Sequence, residues 1–262
     1  MLSSSSALRV VIPARYGSER FPGKPLIDLC GKPMVVRVYE SVRAALPTTD
    51  TIVATDDARI ASVLDEEKIP RMLTRADHES GSDRVAEVAR KCQWSGQDIL
   101  INVQGDEPLI PIELISAFAR FCESKSDLSM ATLAVPFKTT AQIQDPHAVK
   151  LILNSQDRAA AFSRAALPFN RDLPESQWPL EDYLRHVGIY AYRNSELQRL
   201  TRTPPCMLER AEKLEQLRAL WLGIPIDVLR WNEPPPNGVD TPEDIARIIH
   251  SIKKKKGDEC RS

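Results

Sequence analysis

Val10-Val-Ile-Pro-Ala-Arg-Tyr-Gly-Ser-Glu-Arg-Phe-Pro-Gly-Lys24 decides how the rest of the chain is read. Its apolar start, Val10 to Ile12, reads as a buried strand, because a short continuous apolar run bounded by turn residues has both faces covered. Pro13 and Gly17 break the strand, and Pro22-Gly23 mark a second turn. Arg15, Arg20 and Lys24 lie between those breaks. Arginine offers a planar donor fork and lysine a compact charge, and both match phosphate oxygens. A loop directly after a first strand is also a favoured place for function. The plainer alternative is a solvated basic surface loop. The P-loop is excluded on spacing: five residues separate Gly17 from Gly23, and Pro25 stands where a hydroxyl for magnesium is needed.

Outward from this stretch, apolar runs alternate with helical patterns. Met34, Val35, Val38, Tyr39, Val42 and Ala45 recur at helical spacing after Pro33, which suits a first helical position, and Pro47 ends the pattern. Thr51–Thr55 is a second strand, and Asp56-Asp57 cap a helix over 58–66. Residues 71–73 form a third strand, followed by a polar loop, Thr74 to Arg84, that feeds a helix from Asp83 to about Cys92. Ile99–Val103 is a fourth, central strand ending in Gln104-Gly-Asp106. A helix over 112–123 and a strand over 130–135 follow. This alternation predicts an α/β fold, a doubly wound, mostly parallel sheet. Right-handed crossovers then bring the basic loop, Asp56, the 75–82 loop and Asp106 to one sheet edge.

The second half is less regular. Residues 148–153 and 160–163 read as short strands, 167–178 as a proline-bearing excursion, and 186–192 as an alternating strand. A helix begins near Asn194 and ends before Pro204. One long amphipathic helix then places Leu214, Leu217, Leu220 and Trp221 on one face and Glu215 and Arg218 on another, with Gly223 at its end. Residues 226–229 form a strand. Thr241 with Asp244 resembles a capping box, with Pro242 at the first helical position of a last helix running to about Ile252.

Composition is that of an ordinary globular protein: 262 residues, 42% hydrophobic, 27% charged, net charge −1. Such a charge draws in no nucleic acid, and no apolar run approaches the roughly 18 residues of a membrane span. Residues 1–7 lack the basic and apolar regions of a secretory signal. Five scattered cysteines without a Cys-x-x-Cys pair point to free thiols in a reducing compartment, hence the cytoplasm.

Asp106 sits on a glycine turn after a central strand, where a carboxylate either holds Mg²⁺ beside phosphates or simply serves the turn. Asp240 poses the same choice ahead of a capped helix. His186 reads as a hydrogen-bonded histidine at a strand edge or as a ligand donor. Glu215-Gln216 read as an exposed helix face or a binding pair, and Tyr190 as core or site.

Seven segments together resemble one family, 3-deoxy-manno-octulosonate (Kdo) cytidylyltransferase: Pro13–Lys24, Thr74–Arg84, Asn102-Val-Gln-Gly-Asp-Glu-Pro108, Met130-Ala-Thr-Leu-Ala-Val-Pro136, Leu184-Arg-His-Val-Gly-Ile-Tyr-Ala-Tyr192, Leu214-Glu-Gln-Leu-Arg-Ala-Leu-Trp221 and Gly238-Val-Asp-Thr-Pro-Glu-Asp244. The match runs in order over roughly residues 9–250. It implies a three-layer α/β/α sandwich of the nucleotide-diphospho-sugar transferase type. It also implies synthesis of CMP-Kdo and pyrophosphate from CTP and Kdo for lipopolysaccharide, a need for Mg²⁺, and a homodimer. By the same resemblance Arg15, Arg20 and Lys24 grip phosphates, with Arg75, Ser80, Gly81, Ser82 and Gln104 around cytosine and ribose. Arg15, Lys24, Asp106 and Asp240 carry catalysis, the two aspartates as metal ligands. Arg164, His186, Tyr190, Glu215 and Gln216 line the sugar side. The expected organisation is one domain over 9–252, with a nucleotide half (9–135) and a sugar-binding and dimerisation half (136–252). A flexible leader (1–8) and a basic tail (253–262) flank it. Two alternatives remain: transfer of CMP to another acidic sugar, such as sialic acid or 8-amino-Kdo, and a non-catalytic nucleotide-binding protein.

Overall fold

The computed structural model describes residues 6–17, 21–236, 238, 239 and 241–259; Arg20 and Asp240 lie outside them. The chain divides into two compact units, residues 1–119 with 235–262, and residues 120–234.

In chain order the first unit contains β1 (Leu8–Ala14), α1 (Met34–Ala45), β2 (Asp50–Thr55), α2 (Ala58–Glu66), β3 (Arg71–Leu73), α3 (Gly81–Lys91) and β4 (Ile99–Asn102), and α4 (Ile112–Ser124) begins in it. β1 pairs in parallel with β2 on one side and β4 on the other, and β2 with β3. Val10, Val11 and Ile12 are completely buried, which is why this run tolerates no polar alternation. All four strands point the same way, so the segments after them open on one edge, as the alternation predicts.

Two caps set where helices start on that edge. The Asp57 carboxylate accepts the Arg59 N–H (2.9 Å) and begins α2. At α3, Ser80 Oγ accepts the Asp83 N–H (3.2 Å) while Asp83 accepts the Ser80 N–H (3.1 Å), a reciprocal capping box. The helix therefore starts at Gly81, two residues before the periodicity placed it. That shift brings Gly81 and Arg84 to the sheet edge. Residues 235–262 return to the same unit: Val239, Ile248 and Ile252 share a core with Leu29, Met34 and Leu109. The C-terminal helix (Pro242–Glu259) continues past Ile252, where the apolar pattern stops. Its start is held by the Thr241 N–H donating to Asp244 Oδ2 (3.0 Å).

The second unit holds β5 (Met130–Pro136), α5 (Thr140–Gln144), β6 (Lys150–Leu153), β7 (Ala159–Ser163), β8 (Leu184–Arg193), α6 (Asn194–Arg202), α7 (Met207–Glu212), α8 (Gln216–Trp221) and β9 (Ile226–Arg230). Here the pairing is mixed: β5 is antiparallel to β8 and parallel to β9, while β6 is antiparallel to β7 and β8. The parallel pairing of the expected, mostly parallel sheet thus belongs chiefly to the first unit. The excursion over 167–178 is anchored by Trp178, which is buried, stacks on Tyr183 (5.5 Å between centroids) and donates Nε1–H to Leu173 O (3.0 Å).

The long helix read across Leu214–Trp221 is instead two short ones. Lys213 adopts the left-handed conformation (φ 54°), and its N–H closes α7 on Glu209 O (2.7 Å). Trp221, placed by the pattern beside Leu214 and Leu217, is 62% exposed, whereas those leucines are buried.

Candidate active site

The sheet edge of the first unit opens into a cavity of about 190 Å³, lined by Arg15, Lys24, Ser80, Gly81, Gln104 and Asp106, with His78 and Arg84 among the others. Arg15 is exposed and has no partner among the described residues. The Lys24 ammonium donates to Asp106 Oδ2 (2.6 Å) and to the Val239 carbonyl (2.7 Å). Val239 N–H in turn donates to Asp106 O (2.9 Å). Segments far apart in sequence thus close on one carboxylate.

The first loop is shaped by contacts around Tyr16. Gly23 has φ +75°, and a Cβ there would sit 3.1–3.2 Å from the Tyr16 ring. Gly23 N–H also donates to Tyr16 O (3.0 Å). The Arg59 guanidinium stacks on that ring, 3.3 Å from its centroid, held by two bonds to the Asp57 carboxylate (3.0 and 2.7 Å). The loop that carries Arg15 and Lys24 is therefore tied to the start of α2.

Several expected residues occupy other positions. Arg75 is largely exposed and pairs with Asp77, and it is not among the lining residues. Ser82 is buried inside the first turn of α3, whereas Ser80 lines the cavity as expected while its hydroxyl also serves the cap. Asp56 does not line the cavity. It holds Arg84 (2.7 Å), whose guanidinium also donates to Thr74 Oγ1 (2.8 Å) and Arg75 O (3.2 Å). Asp56 Oδ1 is buried without a hydrogen-bond partner.

In the second unit, His186 Nε2 lies 3.0 Å from Thr132 Oγ1, and the Thr132 hydroxyl reaches Ile189 O (2.8 Å). The hydroxyl has one hydrogen. Donated to Ile189 O, it leaves His186 Nε2 as the donor. A register shift between Thr132 and Leu133 leaves Gly188 and Ile189 as extra residues on β8. His186 packs against Tyr190 (5.3 Å) and Phe162 (5.2 Å). Burial, with Arg185 as the smaller cause, drives the imidazole down to about 3. Burial also pushes the Tyr190 phenol well up, reinforced by Tyr192 and Glu215, which places Glu215 in the same neighbourhood. Gln216 is 4% exposed, and its Nε2 has no hydrogen-bond partner, so this pair is no solvated helix face. Arg164 donates Nε–H to Glu212 O (2.7 Å) and an Nη1 hydrogen to Pro146 O (2.9 Å).

The His186 shift carries a pH dependence. A histidine kept neutral in the fold contributes stability that is present above its ordinary value near 6.5 and is lost as pH falls from there toward 3. Between pH 7 and 4.5, wild type should lose about 2 kcal/mol more than His186→Gln, after allowance for the ring's partial exposure. Urea denaturation of both at the two pH values measures this; equal losses would refute it.

Comparison with known proteins fits this geometry. A cytidylyltransferase family model matches residues 9–226. A 3-deoxy-manno-octulosonate cytidylyltransferase 2 of Paraburkholderia phytofirmans is 57% identical over 94% of this chain and 94% of its own. The chain belongs to the 3-deoxy-manno-octulosonate cytidylyltransferase family. A second member, from Burkholderia ambifaria, is 53% identical over 96% of this chain and 95% of its own. Among solved structures, a CMP:2-keto-3-deoxy-manno-octonic acid synthetase complexed with CTP superposes with TM-score 0.87 at 38% identity, covering 95% of this chain and 100% of the other. This confirms the α/β nucleotidyltransferase fold for this family member.

Arg84 lines the cavity although the sequence reading did not single it out, and His78, which also lines it, belongs to the 75–82 loop expected at this edge. The signal for Arg84 was available: Ser80 and Asp83 have capping spacing, which starts the helix early enough to place Arg84 at the cavity. Asp106 is a donor type and position that suits Mg²⁺, which takes one or two carboxylates and leaves places for phosphate. Among the described residues no three His, Cys, Asp or Glu side chains gather as a ready metal cage. No described helix is long and apolar enough to cross a membrane.

Proposed function

We propose that this protein transfers CMP from CTP to 3-deoxy-D-manno-octulosonate, releasing pyrophosphate and supplying CMP-Kdo for lipopolysaccharide. The observation that carries the reading is the meeting of Arg15, Lys24, Asp106 and the start of α3 around one cavity. The anomeric hydroxyl attacks the α-phosphorus and pyrophosphate leaves, a reaction that asks for alignment and charge neutralisation more than for a covalent nucleophile. Arg15 supplies an uncommitted guanidinium for the triphosphate. Lys24 supplies an ammonium already desolvated by its contacts, since its side chain is only 12% exposed. The first-turn amides of α3 add the positive end of a helix dipole. Asp106, with Asp240 as the second carboxylate, would hold Mg²⁺. That ion, when bound, neutralises phosphate charge and lowers the pKa of the attacking hydroxyl.

His186, Tyr190, Glu215 and Gln216 form the sugar side of this reading. The support is a neutral imidazole, a phenol kept protonated and an amide with an unused N–H, a set suited to a polyhydroxylated acid. The protein works in the cytoplasm, in keeping with the free thiols among the described residues, Cys30, Cys92, Cys122 and Cys206. It works as a homodimer, and the exposed Phe169, Met207 and Trp221 of the second unit are side chains that a second copy would cover.

Pyrophosphate release from CTP, measured with Kdo, 8-amino-Kdo and sialic acid in turn, tests the proposal. Turnover with Kdo should exceed the others. Preference for another sugar would reassign the substrate, and CTP binding without pyrophosphate release from any of them would make this a binding protein.

A further inference from the structure

Glu87 lies on α3 below the cavity and is 5% exposed. Burial works to raise its carboxyl, but the Lys91 ammonium, the Arg75 N–H and His78 outweigh it and bring the group down to about 2. One carboxylate oxygen pairs with Lys91 Nζ (2.7 Å). The other accepts the Arg75 N–H (3.0 Å) and contacts His78 Nε2. An ionised carboxylate only accepts, so the shared hydrogen sits on His78 Nε2. His78 itself lines the cavity, with its side chain 12% exposed. Its second ring nitrogen has no protein partner among the described residues.

We propose that His78 Nδ1 contacts the bound nucleotide and that Glu87 is the positioning residue that holds the ring for it, an inference that rests on the CTP-binding reading above. With Nε2–H committed to Glu87, Nδ1 of that tautomer is an acceptor, the same logic by which a carboxylate fixes a metal-binding histidine. It takes an N–H or O–H donor. A cytidine nucleotide offers three: the exocyclic amine of the base and the two ribose hydroxyls. A contact to the amine would contribute to choosing CTP over UTP, which carries a carbonyl at that position. A pocket built to accept a hydrogen bond discriminates strongly against an analogue that cannot donate it.

The test is calorimetric titration of CTP into the full chain and two variants, with thermal melting of each. Gln places its amide where Nε2 was and keeps Glu87 satisfied, but leaves nothing at Nδ1. Asn places its amide at Nδ1 and abandons Glu87. His78→Gln should therefore weaken CTP binding by about 5- to 10-fold at an unchanged melting temperature. His78→Asn should melt lower yet bind CTP within about twofold of wild type. The reverse order, with affinity following stability, overturns the proposal and leaves His78 a purely structural partner of Glu87.

The same titrations with UTP, 2′-deoxy-CTP and 3′-deoxy-CTP identify the donor. The His78→Gln penalty should vanish for one of them, and an equal penalty for all four nucleotides overturns the proposal. Glu87→Gln should weaken CTP binding in the wild-type background and add nothing in His78→Gln; a further loss there overturns the positioning role. Failure of wild type to bind CTP would instead sink the functional reading beneath it, so the two failures are distinct.

Discussion

Asp106→Asn is expected to lower pyrophosphate release from CTP about a thousandfold while the protein stays folded. The substitution keeps the shape of the side chain and an oxygen for the Lys24 ammonium. The main-chain bond from Val239 N–H to Asp106 O (2.9 Å) is untouched. What disappears is the negative charge at the position best suited to Mg²⁺. Several kcal/mol of charge stabilisation at a transferring phosphoryl group corresponds to roughly three powers of ten in rate. The stability cost should be no more than about 1 kcal/mol, because Asp106 is 35% exposed and its pair with Lys24 is partly solvated. Pyrophosphate assays and a urea midpoint on the same preparation measure both. Activity within tenfold of wild type would remove Asp106 from the reaction.

Gly105→Ala should be the most damaging single-methyl change in the first unit. A Cβ at Gly105 would stand 2.7 Å from the Pro13 carbonyl oxygen and 3.6 Å from Ala14 Cβ. The obstacle is the backbone of β1, the central strand of its unit, so no side chain can swing away. Either β1 or the turn carrying Gln104 and Asp106 must shift. We expect a loss of about 2–3 kcal/mol in stability and weaker CTP binding, because the shifted turn is a wall of the cavity. Gly17→Ala is the control. Among the described residues nothing lies within 4 Å of its Cβ position, and its effect should stay within about 0.5 kcal/mol. Urea denaturation and CTP titration of both variants decide the matter; equal behaviour would refute the close-approach argument.

Most of the first unit was legible in the sequence because local and tertiary signals agree there. The run from Val10 to Ile12 is apolar because both its faces are covered, and turn residues mark where it ends. Parallel strands with helical crossovers then force Lys24, Gln104 and Asp106 to one edge, whatever the details of packing. The start of α3 was misplaced because apolar periodicity begins only at Val85, whereas the hydrogen bonds that begin the helix come from Ser80 and Asp83.

The second unit was less readable for a different reason. The alternation from His186 to Tyr192 looks like an uninterrupted strand, but Thr132 is buried, and its hydroxyl reaches the β8 carbonyls at a register shift. That demand comes from a residue more than fifty positions away. The break at Lys213 is equally invisible, because a lysine gives no local sign of a left-handed backbone. Gln216 shows the same limit for the site itself: its helix pattern fits a solvated face, and only the fold reveals an amide 4% exposed with an unused N–H.

The central claim is that Asp106 and the cationic loop form one seat for a nucleotide triphosphate and its divalent ion. A crystal structure with CTP and Mn²⁺, read by its anomalous signal, tests that claim most directly. The metal peak should touch the Asp106 carboxylate, with the triphosphate oxygens against Arg15 and Lys24. A triphosphate bound away from these residues, or a metal peak with no contact to Asp106, would contradict the account.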